Sequence, residues 1–160
     1  MPDMLVKLYD IPDVDPVMVK MFTMGVQIRR SMAAEKLQVL AWVQNEFDTP
    51  YWTSECDVAF SRQPVSCFIA VKDDAILGFA CYDTTLKGFF GPTGVSEEAR
   101  GFQIGRALLL KALHSMKQEG YGYAIIGAVS DENSKFYKTV ARATIIENST
   151  PGIYAGILNV

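Results

Sequence analysis

The stretch from Val95 to Leu113, Val-Ser-Glu-Glu-Ala-Arg-Gly-Phe-Gln-Ile-Gly-Arg-Ala-Leu-Leu-Leu-Lys-Ala-Leu, sets the tightest limit on what this chain can build. It reads as the end of a strand, a tight polar turn containing Arg100, Gly101 and Gly105, and a helix with a leucine-rich face. Successive backbone N–H groups of such a turn converge with the unsatisfied amides of the first helical turn, whose partial positive charge favours a phosphate or pyrophosphate. Glycine matters there because a Cβ would hold an anion away from the backbone. Many strand-turn-helix units share this spacing and hold no ligand, so the rest of the chain has to decide the matter.

The flanking segments set the turn in a mixed sheet. Leu5 to Ile11 alternates as a short first strand, and Pro12, Asp13, Asp15 and Pro16 mark a turn and a helix start. From Val17 to about Phe47 the residues favour two helices. Asp48 to Glu55 breaks that pattern as a loop or short helix that exposes aromatics beside an acid. Val65 to Val71, the turn Lys72-Asp73-Asp74 and Ala75 to Tyr82 form the clearest hairpin, with a third strand through Gly88 to Val95. The helix from about Ile104 to Glu119 has Gly120 as its left-handed terminator. Tyr123 to Val129 is a continuous apolar run, as in a strand buried on both faces. A helix from Asn133 to about Arg142, a segment Ala143 to Ile146, a Ser149 to Gly152 turn and a last strand around Ile153 to Leu158 complete the order. This order gives an α/β fold, α+β in the broad sense, in which helices cover a mixed sheet, and 160 residues suit a single domain over 1–160.

A doubly wound dinucleotide fold is excluded, because the glycine turn follows a meander and no acidic residue ends a following strand about 20 residues on to hold a ribose. A Walker loop is excluded for want of the Gly-Lys-Ser/Thr ending. A formal charge of -3 and a pI near 5.1 argue against nucleic acid as a partner. Arg29-Arg30, the only adjacent basic pair, reads as a solvated helix face. Cys56, Cys67 and Cys81 are odd in number and lack Cys-x-x-Cys spacing, and His114 is the one histidine, so the spacing supports neither a disulfide framework nor a metal site. Cys67 and Cys81, which lie in strand-like runs, are expected to be small buried hydrophobes. The first residues lack a basic stretch followed by an apolar one, and no apolar run approaches the roughly 20 residues of a membrane span, so no membrane is expected and a cytoplasmic location is.

What remains is a pyrophosphate cradle without nucleotide-hydrolysis machinery, and here the chain resembles the GNAT superfamily of acetyl-CoA-dependent N-acetyltransferases. The family's loop is Arg/Gln-x-x-Gly-x-Gly/Ala after a strand that ends in Val. Arg100-Gly101-Phe102-Gln103-Ile104-Gly105 supplies its first and last members, Val95 takes the strand-end position, and Ala107-Leu108-Leu109 continues the helix. Tyr123 to Val129 resembles the strand that splays from its neighbour to admit pantetheine, and Asn133-Ser134-Lys135-Phe136-Tyr137 resembles the family's Asn-x-x-Phe-Tyr segment. The departure is Gln103, where the family has its first loop glycine. A Cβ there is tolerable in helical backbone if the side chain points away.

The resemblance implies acetyl-CoA as co-substrate, with no metal, and a GNAT-like mixed, mostly antiparallel sheet flanked by helices on both faces. It implies that Gly94 and Val95 pair with pantetheine through their backbone, the Val95 N–H being the oxyanion donor. It further implies that the amides of Gly101, Phe102, Gln103, Ile104, Gly105 and Arg106 hold pyrophosphate, with charge from Arg100 or Arg106, and that Asn133 contacts the CoA arm. Tyr137 is the expected general acid for the departing sulfur, a phenol being protonated at neutral pH. For the base, Glu55, Asp83 and Glu97 are the candidates, with a water chain as an alternative. Glu55 draws interest because Tyr51 and Trp52 precede it, an aromatic wall with one acid being suited to a cationic amine. The acceptor is expected to be a primary amine of a small molecule. A protein or peptide N-acetyltransferase and a catalytically silent CoA-binding or sensing module are the alternatives. A mean hydropathy of +0.12 makes a homodimer plausible.

Overall fold

A computed structural model describes residues 1–159. Its strands are β1 (Met4–Lys7), β2 (Gln27–Arg30), β3 (Cys67–Lys72), β4 (Ala75–Tyr82), β5 (Phe89–Val95), β6 (Tyr123–Ile126) and β7 (Thr144–Ile145). Its helices are α1 (Asp15–Thr23), α2 (Lys36–Phe47), α3 (Pro50–Ala59), α4 (Ile104–Gln118) and α5 (Asp131–Ala141). The strands form one open sheet in the order β2-β3-β4-β5-β6-β1-β7, in which β5 and β6 run parallel and every other neighbouring pair is antiparallel. The element order implies a mixed sheet, and its mostly antiparallel character is the one that the resemblance implies.

Alternation along β3 and β4 divides the interior. Phe68, Ala70, Ala80 and Tyr82 join the larger core with residues of α1, α4 and α5, while Cys67, Ile69, Phe79 and Cys81 face α2 and α3 in a smaller one. The hairpin between these strands turns through Asp73 and Asp74, both at positive φ (50° and 61°), which matches the twist of the two strands. Helix α4 is the central element of the larger core. Ala107, Leu108, Leu109, Leu110, Ala112, Leu113 and Met116 are fully buried, and the helix stops where Gly120 takes φ +104°.

Three segments depart from the sequence reading. The region 17–47 holds a strand between its helices, because Gly25 at φ +74° ends α1 and the chain then extends, burying Val26 just before β2 and Ile28 within it. Asp48 to Glu55 belongs mostly to a full helix, α3, opened by Pro50 at its first position. The last strand expected over Ile153 to Leu158 does not form; Gly152–Tyr154 is a single 3-10 turn, and the sheet ends at the two-residue β7. No described helix is long and apolar enough to cross a membrane.

The new edge strand changes the reading of its arginines. Arg30 lies over the rings of Phe68 and Tyr82 and donates to the Val65 carbonyl and the Tyr82 hydroxyl, each at 2.8 Å. Arg29 grips Glu35 through two bonds of 2.8 and 2.6 Å, and the Met32 N–H donates to the same carboxylate at 2.7 Å. The Arg29 guanidinium beside Glu35 holds its pKa down at about 2. A carboxyl held below its unfolded value stabilises the fold above that value and loses the contribution as the pH falls toward the folded one. Glu35→Gln is therefore expected to cost about 1 kcal/mol at neutral pH. The difference from the parent protein should shrink between pH 4.5 and about 2 in urea melts.

Candidate functional site

Strands β5 and β6 pair only at Phe89 with Ile125 and Phe90 with Ile126. Beyond that point β6 ends, and Ala128 takes φ +50°. The Ala128 N–H donates to Asp3 Oδ1 at 2.9 Å and the Val129 N–H to the Pro2 carbonyl at 2.8 Å. These bonds hold the chain away from β5, and the sheet opens as a wedge. A cavity of about 460 Å³ fills the wedge, within the range of small-molecule sites.

One wall is the freed edge of β5. Val95 lies opposite Gly78 and Gly94 opposite Phe79, and the Ser96 N–H donates to the Leu77 carbonyl at 2.9 Å. In this register Gly78 and Val95 form a non-hydrogen-bonded pair, so the N–H and C=O of Val95, and likewise of Thr93, face the open edge. The Gly94 groups face β4 instead. Gly94 serves by having no side chain, because a Cβ there would lie 2.5 Å from the Phe47 ring. That ring belongs to an aromatic cluster with Trp42, Trp52 and Phe79. Of the two residues expected to pair with pantetheine, Val95 thus turns its N–H to the open edge, while Gly94 faces β4 and makes room for the Phe47 ring.

At the end of this wall lies the turn read as a cradle. Val95, Arg100, Gly101, Gln103, Ile104, Gly105, Arg106, Phe136 and others line a second cleft of about 360 Å³. The first bond into α4 runs from the Ala107 N–H to the Gln103 carbonyl at 3.0 Å, leaving Ile104, Gly105 and Arg106 without intrahelical acceptors. Gly101, at φ +87°, has open space where a Cβ would stand. Arg100 folds back so that its Nε donates to the Val95 carbonyl at 3.2 Å. Phe102 is half exposed and lines neither cleft, so only its backbone is available to the loop. The backbone at Gln103 differs from the expectation. It is left-handed, φ +68° and ψ 18°, and a family glycine at this position answers to that conformation. The exposed glutamine accepts the strain rather than avoiding it.

The larger cavity brings together Glu55, Asn133 and Tyr137. Tyr137 descends from α5 into the core against Phe90 and Phe136, and burial pushes its phenol up to about 12. Asn133 lies one turn back on α5, its N–H capped by the Ser130 hydroxyl at 3.2 Å. Glu55 comes from the opposite side on α3. Burial raises its carboxyl above the usual carboxylate range, and a hydrogen bond with Thr85 works the other way. The other two carboxylates are elsewhere. Asp83 accepts from the Gly88 N–H at 2.6 Å and the Tyr121 hydroxyl at 2.8 Å and pairs with Arg62 at 3.2 Å. Glu97 is exposed on a 3-10 turn and lines neither cleft.

Two contributors escaped the sequence reading. Tyr154 and Ile157 lie in the segment expected as a strand, yet they wall the cavity beside Trp52 and Tyr51, and the Tyr51 hydroxyl donates to the Leu158 carbonyl at 2.7 Å. The signal for Tyr154 was Gly127, since a Cβ there would meet the Tyr154 hydroxyl oxygen at 2.5 Å.

The family model described as Acetyltransferase (GNAT) family matches residues 32–140, which spans α2, α3, the meander, the cradle and most of α5. The chain belongs to this family of acetyltransferases. Solved structures share its fold. A fungal multi-domain GH3 β-N-acetylglucosaminidase with a glucosamine N-acetyltransferase region matches 91% of this chain and 19% of its own length, at 20% identity and a TM-score of 0.72. A GCN5-related N-acetyltransferase from Sphaerobacter thermophilus matches 91% of this chain and 48% of its own, at 17% identity and a TM-score of 0.62. A GNAT family acetyltransferase from Brucella melitensis, in complex with acetyl-CoA, matches 69% and 80%, at 17% identity and a TM-score of 0.54. The chain thus spans from about a fifth to about half the length of the first two of these proteins. None of the curated proteins compared matches it.

The left-handed Gln103 supplies a test. Relief of an αL penalty of about 1–2 kcal/mol, less the roughly 0.5–1 kcal/mol of added chain entropy for glycine, leaves a gain of about 0.5 kcal/mol for Gln103→Gly. Chemical denaturation should show that gain, and loss of stability on this substitution would contradict the backbone assigned here.

Proposed function

We propose that the protein moves the acetyl group of acetyl-CoA directly onto a primary amine of a small molecule. The observation that supports this most is the continuity of three parts along one opened strand edge. The free amides at the start of α4 suit a pyrophosphate, the Val95 N–H and the Thr93 backbone, both turned away from β4, suit the amide groups of a pantetheine arm, and the cavity beyond carries an acid and a base candidate from opposite walls. The fit for acetyl-CoA rests on the space left open at Gly101 and on the unsatisfied amides of residues 104–106.

Each residue then has a task. An amine enters protonated and is attracted to the carboxylate of Glu55, beside the faces of Trp52 and Tyr51. Glu55 takes a proton and leaves the nitrogen neutral, free to form its bond to the acetyl carbon. The Val95 N–H faces the side on which the carbonyl oxygen gathers charge, and the carbon–sulfur bond breaks as the Tyr137 hydroxyl gives its proton to sulfur. The second proton lost by the nitrogen restores Tyr137, and the proton on Glu55 returns to water. A phenol held near 12 keeps its proton throughout the physiological range.

The glucosamine N-acetyltransferase region among the structural neighbours puts amino sugars at the head of an amine panel. Thiol release from acetyl-CoA across that panel tests the reading, together with an N-terminal peptide. Saturating acetyl-CoA at 100 times its Kd should stabilise the protein by about 2.7 kcal/mol. Stabilisation without thiol release on any acceptor would favour the silent CoA-binding module instead.

Two substitutions probe the chemistry. Tyr137→Phe should leave acetyl-CoA affinity intact and lower kcat about 100-fold. Glu55→Gln should lower kcat/KM by a similar factor at neutral pH. A base works only when deprotonated, so activity in the parent enzyme should fall as the pH drops through the raised pKa of Glu55, and this acid limb should vanish in the variant.

A further inference from the structure

Three cysteines that are distant in sequence meet in the smaller core. Cys67 and Cys81 stand opposite each other on β3 and β4. The Tyr82 N–H donates to the Ser66 carbonyl at 3.0 Å, which makes Cys67 and Cys81 a non-hydrogen-bonded pair, the kind that brings opposed Cα atoms to about 4.5 Å. Their side chains leave the sheet on the face that carries Ile69 and Phe79, and Cys56 reaches them from α3. The three sulfurs all lie within 4.8 Å of one another, and all three residues are fully buried. Val39, Val43, Ala59 and Val65 belong to the same core.

Packing alone does not ask for this. A cysteine that acts as a small hydrophobe needs carbon neighbours, and an aliphatic core around it would serve. Here one helix and two strands each contribute a sulfur to the same point. Bonds of about 2.3 Å to a central ion place the sulfurs of a planar three-coordinate site about 4 Å apart. The observed sulfurs, none more than 4.8 Å from another, are compatible with that size.

The donor set selects the ion. No His, Asp or Glu joins the group among the described residues, so hard cations that require oxygen find nothing to bind. Zinc in structural sites takes four ligands, and this enclosed core offers three. A soft ion content with two or three sulfurs remains. We propose that Cys56, Cys67 and Cys81 form a closed, sulfur-only site for copper(I). Two of the three cysteines bind the ion as thiolates and release their protons to solvent, the third binds as a neutral thiol, and no electron is transferred. Two thiolates and one neutral thiol around the single positive charge leave one net negative charge in the core. Access requires α3 to part from the sheet, so loading takes place during folding or through local opening of that helix.

The test uses the full chain, reduced and free of oxygen, refolded with copper(I) supplied as its bicinchoninate complex. One equivalent should pass to the protein, with ultraviolet thiolate-to-copper absorption, a higher Tm, and X-ray absorption that shows three sulfur neighbours and no nitrogen or oxygen. Cys56→Ala and Cys81→Ala should each weaken binding by more than the roughly 10–100-fold typical of losing an outer-shell partner. Circular dichroism checks that these variants fold; if they do not, the stoichiometry and coordination in the unsubstituted protein decide. Failure of equimolar copper to transfer, retention of binding in folded Cys56→Ala, light-atom ligands, or displacement of the copper by zinc would each overturn the assignment. None of these readouts depends on acetyl transfer.

Discussion

The early end of the pairing between β5 and β6 is the constraint on which the site depends. A parallel pair that continued past Phe90 and Ile126 would engage the backbone of β5 and close the cavity. It cannot continue, because the chain after Ile126 is anchored elsewhere. Asp3 accepts from the Ala128 N–H, its own N–H donates to the Ser149 hydroxyl, and its carbonyl accepts from the Ile146 N–H. A single buried residue of the N-terminal segment therefore ties the splayed strand end to the segment that follows β7. Opening a sheet exposes backbone groups that must be satisfied. Here the N–H groups of residues 128 and 129 are satisfied by residues 2 and 3, and the Val95 N–H remains on offer.

The two clefts use the opening differently. The cradle is a short continuous stretch, from the strand end at Val95 through the turn to Arg106, and what it presents is backbone amides and a helix terminus. The cavity beyond is assembled from separate places, with Glu55 on α3, Tyr137 and Asn133 on α5, and Tyr154 on the segment after β7. Family membership bears on the first more than on the second, since the matched residues 32–140 stop short of Tyr154.

This difference also explains what could be read from the sequence. The β3–β4 hairpin and α4 were legible because their determinants are local, an Asp-Asp turn at positive φ in one and a leucine stripe ended by Gly120 in the other. Tyr137 and Asn133 were found through a motif whose spacing is a helical turn. Strand β2 was missed because four residues show little periodicity, and it is made a strand by pairing with β3 some 40 residues away. The meeting of Cys56, Cys67 and Cys81 has no signature in their spacing, for it depends on strand register and on the angle at which α3 crosses the sheet. At Gln103 the motif mismatch was visible, but its conformation was not, since a glutamine gives no hint of a left-handed backbone.

The placement of Tyr154 over Gly127 has a consequence for how such a protein diversifies. The tyrosine reaches the cavity from a segment that forms no strand, against a residue whose missing side chain makes room for it. Its replacement disturbs neither the sheet register nor the amides of the cradle. The shape of the cavity can therefore drift through this wall while the cleft at the start of α4 stays under strict backbone control, an arrangement in which one scaffold can vary what its cavity admits at little structural risk.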